Sequence, residues 1–490
     1  MTTLADRLRG VIRPGGGGPP KGGPYDGGPY QEGLDEAAPD GRGGRLQAAQ
    51  DDTAAEVLDG QWRESDGHRF LVVDRTYVPG YRHGSMVLAD ALPPSDGLWP
   101  RLSLLADTAC GGNLLFVDLE TTGLAGGAGT YAFLVGCAWF AGGTFRVRQF
   151  FLSSFAAERV LLEAVRELAE TSGTVVTYNG KSFDLPLIET RFALHRMSTP
   201  FAGLPHIDML HPARRMWRSS EEPARHGPAN HLRQGYGGPP KRSAEAEAGH
   251  YDGSAEAGHN GRPMSAAIDS GSTKVSSSCR LSTLEQTLCG YVREGDVPGF
   301  EIPARYFRYV RSGDARPLEA VLEHNRLDLL SLALVTARAA QLLDEGAPGA
   351  STAREALGLG RLYERGGMMI DARACFARAA DTESEDEGVR AEALRAFAVL
   401  SRRMRRFEEA AAAWRRLLDL DLCPQPLVRE ASEALAVHLE HRLRDPLSAR
   451  GFALRSLQVD NSAARRQATA YRLARLDRKL GSQSQAVPLF

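Results

Sequence analysis

No two cysteines of this chain stand in a CxxC pair: Cys110, Cys137, Cys279, Cys289, Cys375 and Cys423 are scattered singly. Such spacing argues against a zinc knuckle or a disulfide framework and for reduced thiols. No apolar run is long enough to cross a bilayer, and the opening MTTLADRLRGVIRPGGGG turns to glycine and proline before a signal-peptide core could form. The expectation is a cytoplasmic protein without a membrane partner. Nor is there a surplus of charge, since 59 Lys and Arg face 61 Asp and Glu. Any contact with nucleic acid must therefore rest on local patches. What is present is ordinary globular composition, 42% hydrophobic over 490 residues, enough for two or three domains with at least one sizeable core.

Residues 1–53 are rich in Gly, Pro and Asp and cannot offset their own ordering entropy, so a disordered tail is expected there. Over 54–112 the runs HRFLVVDRTYVPG and HGSMVLADAL predict a small strand-rich lead-in. From 113 to 345 the pattern is richer. NLLFVD, TYAFLVGCAWF and TFRVRQFFL read as strands joined by short glycine-bearing turns, hence as antiparallel neighbours. AAERVLLEAVRELAE and DLPLIETRFALHR follow as helices, with the strands TVVTYN and HIDML alternating with them. RLSTLEQTLCG, IPARYFRYVRSG and PLEAVLEHNRLDLLSLALVTARAAQLL complete the domain as helices. This order predicts an α/β fold. Residues 219–278 interrupt it with a segment far above ordinary loop length, read as a disordered insert. Its His226, His231, His250 and His259 could ligate metal, but the flanking glycines offer no scaffold to hold them.

From 352 to 490 the chain is all-α with a repeat: Ala372-x3-Phe376-x2-Ala379 aligns with Ala410-x3-Trp414-x2-Leu417, and more weakly with 449–457. The small and aromatic residues at helix-packing positions look like tetratricopeptide-type helical pairs. A concave surface for a protein partner is favoured over a merely stabilising appendage. A local arginine excess could also help to hold nucleic acid, although most such side chains cover solvated helix faces.

Three polar motifs punctuate the α/β region. Asp118 and Glu120 end the strand LLFVD, where alternation puts both carboxylates on one face and Leu119 on the other. Clustered oxygens of this kind can clamp two metal ions about 3.5–4 Å apart across a phosphodiester. Solvated turn acids would give the same pattern. Asp184, in YNGKSFDLP, follows an Asn-Gly turn and reads as an N-cap with Pro186 in the first turn, or as a further ligand beside an active site. His324 and Asp328, four apart in a long helix, share a face, as a catalytic pair or as a polar stripe. Asp208 in HIDML is a reserve acid, and Lys181 and Ser182 could meet a phosphate.

FVDLETTGL, YNGKSFDLPLI and HNRLD resemble the three motifs of the DEDD exonuclease superfamily, in order. The run from about His68 to Leu343 is similar to the YprB-type ribonuclease-H-like family, with HIDMLHPARRMW, RLSTLEQTLCG and GFEIPARYFRYVRSGD between the second and third motifs. The resemblance implies a ribonuclease-H-like mixed sheet flanked by helices, with Asp118, Glu120, Asp184 and Asp328 as metal ligands. It also implies a nuclease acting on DNA or RNA from the 3′ end. Hard oxygen ligands without a Cys-His cluster favour two Mg²⁺ or Mn²⁺ ions. His324 stands where relatives carry the Tyr or His that orients or deprotonates water, although the HxxxD spacing is that of the tyrosine-bearing subclass. Histidine titrates near neutrality in general and can serve as a base there. Two other classes remain open: a scaffold that binds nucleic acid without cutting it, and an interaction protein in which the acids coincide.

Overall fold

Branched and aromatic residues build the strands, and tight turns set their order. In the computed structural model, which describes residues 53–91, 98–123, 129–218, 279–382, 386–458 and 462–485, β1 (Gln61–Ser65) and β2 (His68–Tyr77) form a hairpin. Its two-residue turn, Asp66-Gly67, has positive φ at both positions, the backbone twist that such hairpins need. β3 (Arg82–His83) and β4 (Met86–Val87) make a separate small ladder. The central strands are β5 (Leu114–Thr121), β6 (Ala132–Ala141) and β7 (Thr144–Phe151), followed by β8 (Thr174–Thr177) and β9 (His206–Asp208). All but β3 and β4 join one sheet in the order β1-β2-β7-β6-β5-β8-β9. Pairing is antiparallel from β1 to β5 and parallel from β5 through β8 to β9. The α/β mixed sheet expected from the sequence is thus present, and the strands of residues 61–77 widen it by pairing β2 with β7. The tail up to residue 52 and the 219–278 insert with its histidines lie outside the described residues.

Two cores follow from strand alternation. Leu115, Val117 and Leu119 of β5 belong to one, with α1 (Glu158–Ala169), α2 (Asp184–Leu194) and α4 (Ile302–Ser312). Leu114 and Phe116 belong to the other, together with α3 (Leu210–Met216) and the later part of α5 (Arg316–Glu345). Asp118 and Glu120 continue that second face.

The second core runs on into the helical pairs α6 (Ala353–Arg365) with α7 (Met369–Asp381) and α8 (Glu387–Arg403) with α9 (Phe407–Leu418) and reaches α10 (Gln425–His438), whose end closes a small separate core with α11 (Pro446–Gln458). α12 (Ala463–Gln485) follows. Thr352 caps α6 by accepting from the Glu355 amide, and the Asp386 side chain does the same for Val389 at α8. α6 sits tightly on α3, where a Cβ on Gly358 would meet the Arg215 carbonyl oxygen at 2.5 Å. Trp217 Nε1 donates to Glu355 Oε1 across the same junction, at 2.9 Å.

Candidate active site

A polar ladder crosses three strands and fixes the first acid. Asn325 of α5 is fully buried, and its Nδ2 donates to Asp118 Oδ2 at 2.8 Å and to the Asp118 carbonyl at 3.2 Å. Its Oδ1 accepts from Gln149 Nε2 at 2.9 Å, while Gln149 also donates to the Leu322 carbonyl at 2.7 Å. Strand register places Gly136 between Asp118 and Gln149. A Cβ at Gly136 would come within 2.2 Å of Asn325 Oδ1, so the glycine makes room for the amide. A lone glycine inside the buried run FLVGCAW was the one signal available from sequence, as a mark of close approach.

The second motif is held by its turn. Asn179 takes a left-handed φ of 67°, and a Cβ at Gly180 would strike Thr177 Oγ1 at 2.3 Å. Buried Asp208 organises the turn by accepting from the backbone amides of Asn179 at 2.7 Å, Lys181 at 3.0 Å and Leu210 at 3.1 Å. The reserve acid is thereby occupied with backbone. The N-cap expectation for Asp184 is corrected: the helix begins at Asp184 itself, Phe183 is the cap, and no side-chain capping bond forms. Lys181 Nζ turns to Asp107 Oδ2 at 2.5 Å, whereas Ser182 lines the cleft.

The third motif is clamped by residues with no sequence signal. Arg293, whose side chain is 5% exposed, donates from Nη2 to Asp328 Oδ1 at 2.5 Å, from Nε to Glu285 Oε2 at 2.6 Å and from Nη1 to Asp296 Oδ2 at 3.3 Å. Glu285 is itself buried and bonded to His83 Nε2 at 2.7 Å and Ser331 Oγ at 2.5 Å. Asp296 Oδ1 meets His324 Nδ1 at 2.6 Å. His324 Nε2 lies 3.6 Å from Asp328 Oδ2.

Asp118, Glu120, Asp184 and His324 line one cleft of about 500 Å³, with Ser182 and Phe183 on its wall. Asp328 is electrostatically joined to all three acids. Burial, then the charges of Asp328, Glu120 and Asp184, raises the Asp118 carboxyl well above its usual range. Glu120 is raised by burial and by Asp328, Asp184 and Asp296, against Arg293. Asp184 is pushed up to about 7 by burial, Asp208 and Asp328. Like charges this close disfavour joint ionisation, so the cleft is short of positive charge. Among the described residues no three His, Cys, Asp or Glu side chains form an assembled cation shell. The donor chemistry, hard carboxylate oxygens held in mutual repulsion, nevertheless fits hard divalent cations.

Comparison with known proteins agrees with this architecture. Along its length the chain is 27% identical over 424 residues to a Bacillus subtilis (strain 168) protein named "Uncharacterized protein YprB", a match covering 84% of this chain and 86% of that protein. Residues 115–222 and 264–340 match the family model described as RNase_H superfamily. Asp118, Glu120, Asp184, His324 and Asp328 all fall within the residues that match this family model.

Proposed function

We propose that this protein is a two-metal-ion nuclease that hydrolyses phosphodiester bonds of DNA or RNA, working within that class as a DEDD-type 3′–5′ exonuclease. The observation that carries the reading is the convergence of Asp118, Glu120, Asp184 and Asp328, whose burial and mutual repulsion call for cations. These four carboxylates would hold the ions. Bound Mg²⁺ or Mn²⁺ supplies Lewis-acid polarisation of the phosphoryl oxygens and a more acidic attacking water. The chain's own groups do the rest. Asn325 and Gln149 keep Asp118 in one rotamer, and Arg293 holds Asp328. With the Nδ1 proton of His324 directed at Asp296, Nε2 is left with the lone pair that can take a proton from water. Exposed Phe183 at the cleft wall offers a ring on which a terminal base can stack.

A second reading is a scaffold that binds nucleic acid without cutting it, favoured by one observation: Asp328 already has a built-in cationic partner in Arg293. Digestion of end-labelled single- and double-stranded DNA and RNA with Mg²⁺ or Mn²⁺ separates the two. The nuclease reading expects metal-dependent shortening from the 3′ end, abolished in Asp118→Asn. Binding without cleavage in either ion would transfer the conclusion to the scaffold.

A further inference from the structure

Three helices of the C-terminal region, α8, α10 and α12, turn charged side chains to a common groove. α8 contributes Arg395, Arg402 and Arg403, α10 contributes Arg429, and α12 contributes Arg465 and Arg472, around a hollow of about 720 Å³. Only two carboxylates, Glu430 and Glu433, share that lining. The whole chain has a formal net charge of -2, so this face concentrates positive charge that the rest of the molecule lacks. Two of the arginines are tied between helices, Arg395 to Glu430 at 2.7 Å and Arg403 to Glu364 at 2.9 Å, and Arg429 pairs with Glu433 of its own helix at 3.2 Å. Arg402 and Arg465 are exposed and make no ion pair among the described residues. Beside the groove the buried carboxylate Glu440 is shared by Arg472, Arg475 and Lys479.

We propose that this groove is a second nucleic-acid site, binding the phosphate backbone of a single-stranded RNA or DNA segment. The cations that line it are all guanidinium, whose planar forks match phosphate oxygens in pairs. Neighbouring helices lie about 8–10 Å apart, so three of them set charge along roughly 16–20 Å, room for several successive phosphates. A peptide partner needs apolar anchors. The one large aromatic side chain of the lining, Trp414, is only 4% exposed, which leaves Val437, 36% exposed, as the lining's one exposed large hydrophobic residue against six arginines. The proposal extends the nuclease reading by giving substrate a hold outside the cleft, and its test requires no hydrolysis.

The test is fluorescence anisotropy of the full chain with labelled oligo-dT and oligo-U of about 20 nucleotides, in EDTA, across 50–200 mM salt. Arg402→Ala with Arg465→Ala should weaken binding about tenfold and flatten the log–log salt dependence by roughly 1.4, about 0.7 for each phosphate no longer neutralised. Arg402→Glu with Arg465→Glu should weaken it further. Arg378→Ala, at an exposed α7 position outside the groove, should change neither. Unchanged affinity and slope in both double variants would overturn the proposal. So would binding of a polyglutamate peptide that depends on Arg402 and Arg465 when the oligonucleotides' binding does not. Loss of hydrolysis with intact groove binding would count against the cleft reading alone.

Discussion

Replacing a strand glycine by alanine ordinarily helps slightly, by about 0.4–1 kcal/mol, because the unfolded chain loses freedom. Gly136→Ala should do the reverse. The new methyl would sit 2.2 Å from Asn325 Oδ1 and 2.8 Å from both Cγ and Nδ2, and Asn325 has nowhere to go because it is fully buried. Overpacking costs about 1–3 kcal/mol. Pushing the amide aside also breaks its bonds to Asp118 and Gln149, each about 1–3 kcal/mol when the partner stays buried. A total destabilisation on the order of 3–9 kcal/mol follows. The sharper measurement is a double-mutant cycle by urea unfolding. In an Asn325→Ala background the obstacle is gone, so Gly136→Ala should cost less than about 0.5 kcal/mol, a coupling of at least about 2.5 kcal/mol. If Gly136→Ala costs the same in both backgrounds, the idea that the glycine exists to seat Asn325 against Asp118 is wrong.

In chelator, stability should fall as pH rises from about 4 to about 7, because Asp184 is pushed up to about 7 and so binds more protons folded than unfolded, where a free Asp titrates near 3.9. The full effect is at most about 4 kcal/mol; Asp184→Asn should flatten the profile, and Mn²⁺ should raise the melting temperature more at pH 8 than at pH 5. A flat wild-type profile would contradict the repulsion described for the cleft. Asp208→Ala strips the amides of Asn179, Lys181 and Leu210 of their acceptor, at about 1–3 kcal/mol each; Asp208→Asn keeps one oxygen and should cost clearly less by calorimetry, so equal losses would remove its role in the turn. His324→Ala should lower turnover by roughly 10²–10⁴-fold while calorimetric metal affinity stays, whereas wild-type turnover would take His324 out of the mechanism. Glu440 is pulled down to about 2, first by its bond to Arg475 and then by Lys479. Its stabilisation is therefore complete above the ordinary glutamate range and lost as pH falls toward 2; Glu440→Gln should speed hydrogen exchange over 425–485 at neutral pH, and identical protection would refute the triple pairing.

Local pattern carried most of the fold. β5, β6 and β7 were legible because apolar and aromatic runs alternate with glycine turns, and α1, α2, α4 and α5 because their apolar residues recur at helical spacing. Asp118, Glu120, Asp184 and His324 were legible as motifs, and they line a single cleft. What stayed hidden is non-local. Nothing in residues 68–77 says that β2 pairs with β7 across some seventy residues of chain, as in Asp74 with Arg148. Asn325 sits between two flagged residues but declares its purpose only through Gly136 and Gln149 on other strands. Arg293 and Asp296 lie in the aperiodic stretch VREGDVPG, where charge reads as solvated loop. Asp184 was ambiguous because a cap and a first-turn carboxylate share the same sequence neighbourhood.

Asp118 and Asn325 are 207 residues apart, and a ribosome releases them in that order. At about 5–20 residues per second the wait is roughly 10–40 s. During it, residues 61–151 can close their antiparallel strands on the nascent chain, but the face of β5 that bears the acids has no α5 to cover it. Translation therefore works as a timer on the cleft: Asp118 has neither Asn325 to hold it nor Asp328 beside it until the third motif has emerged.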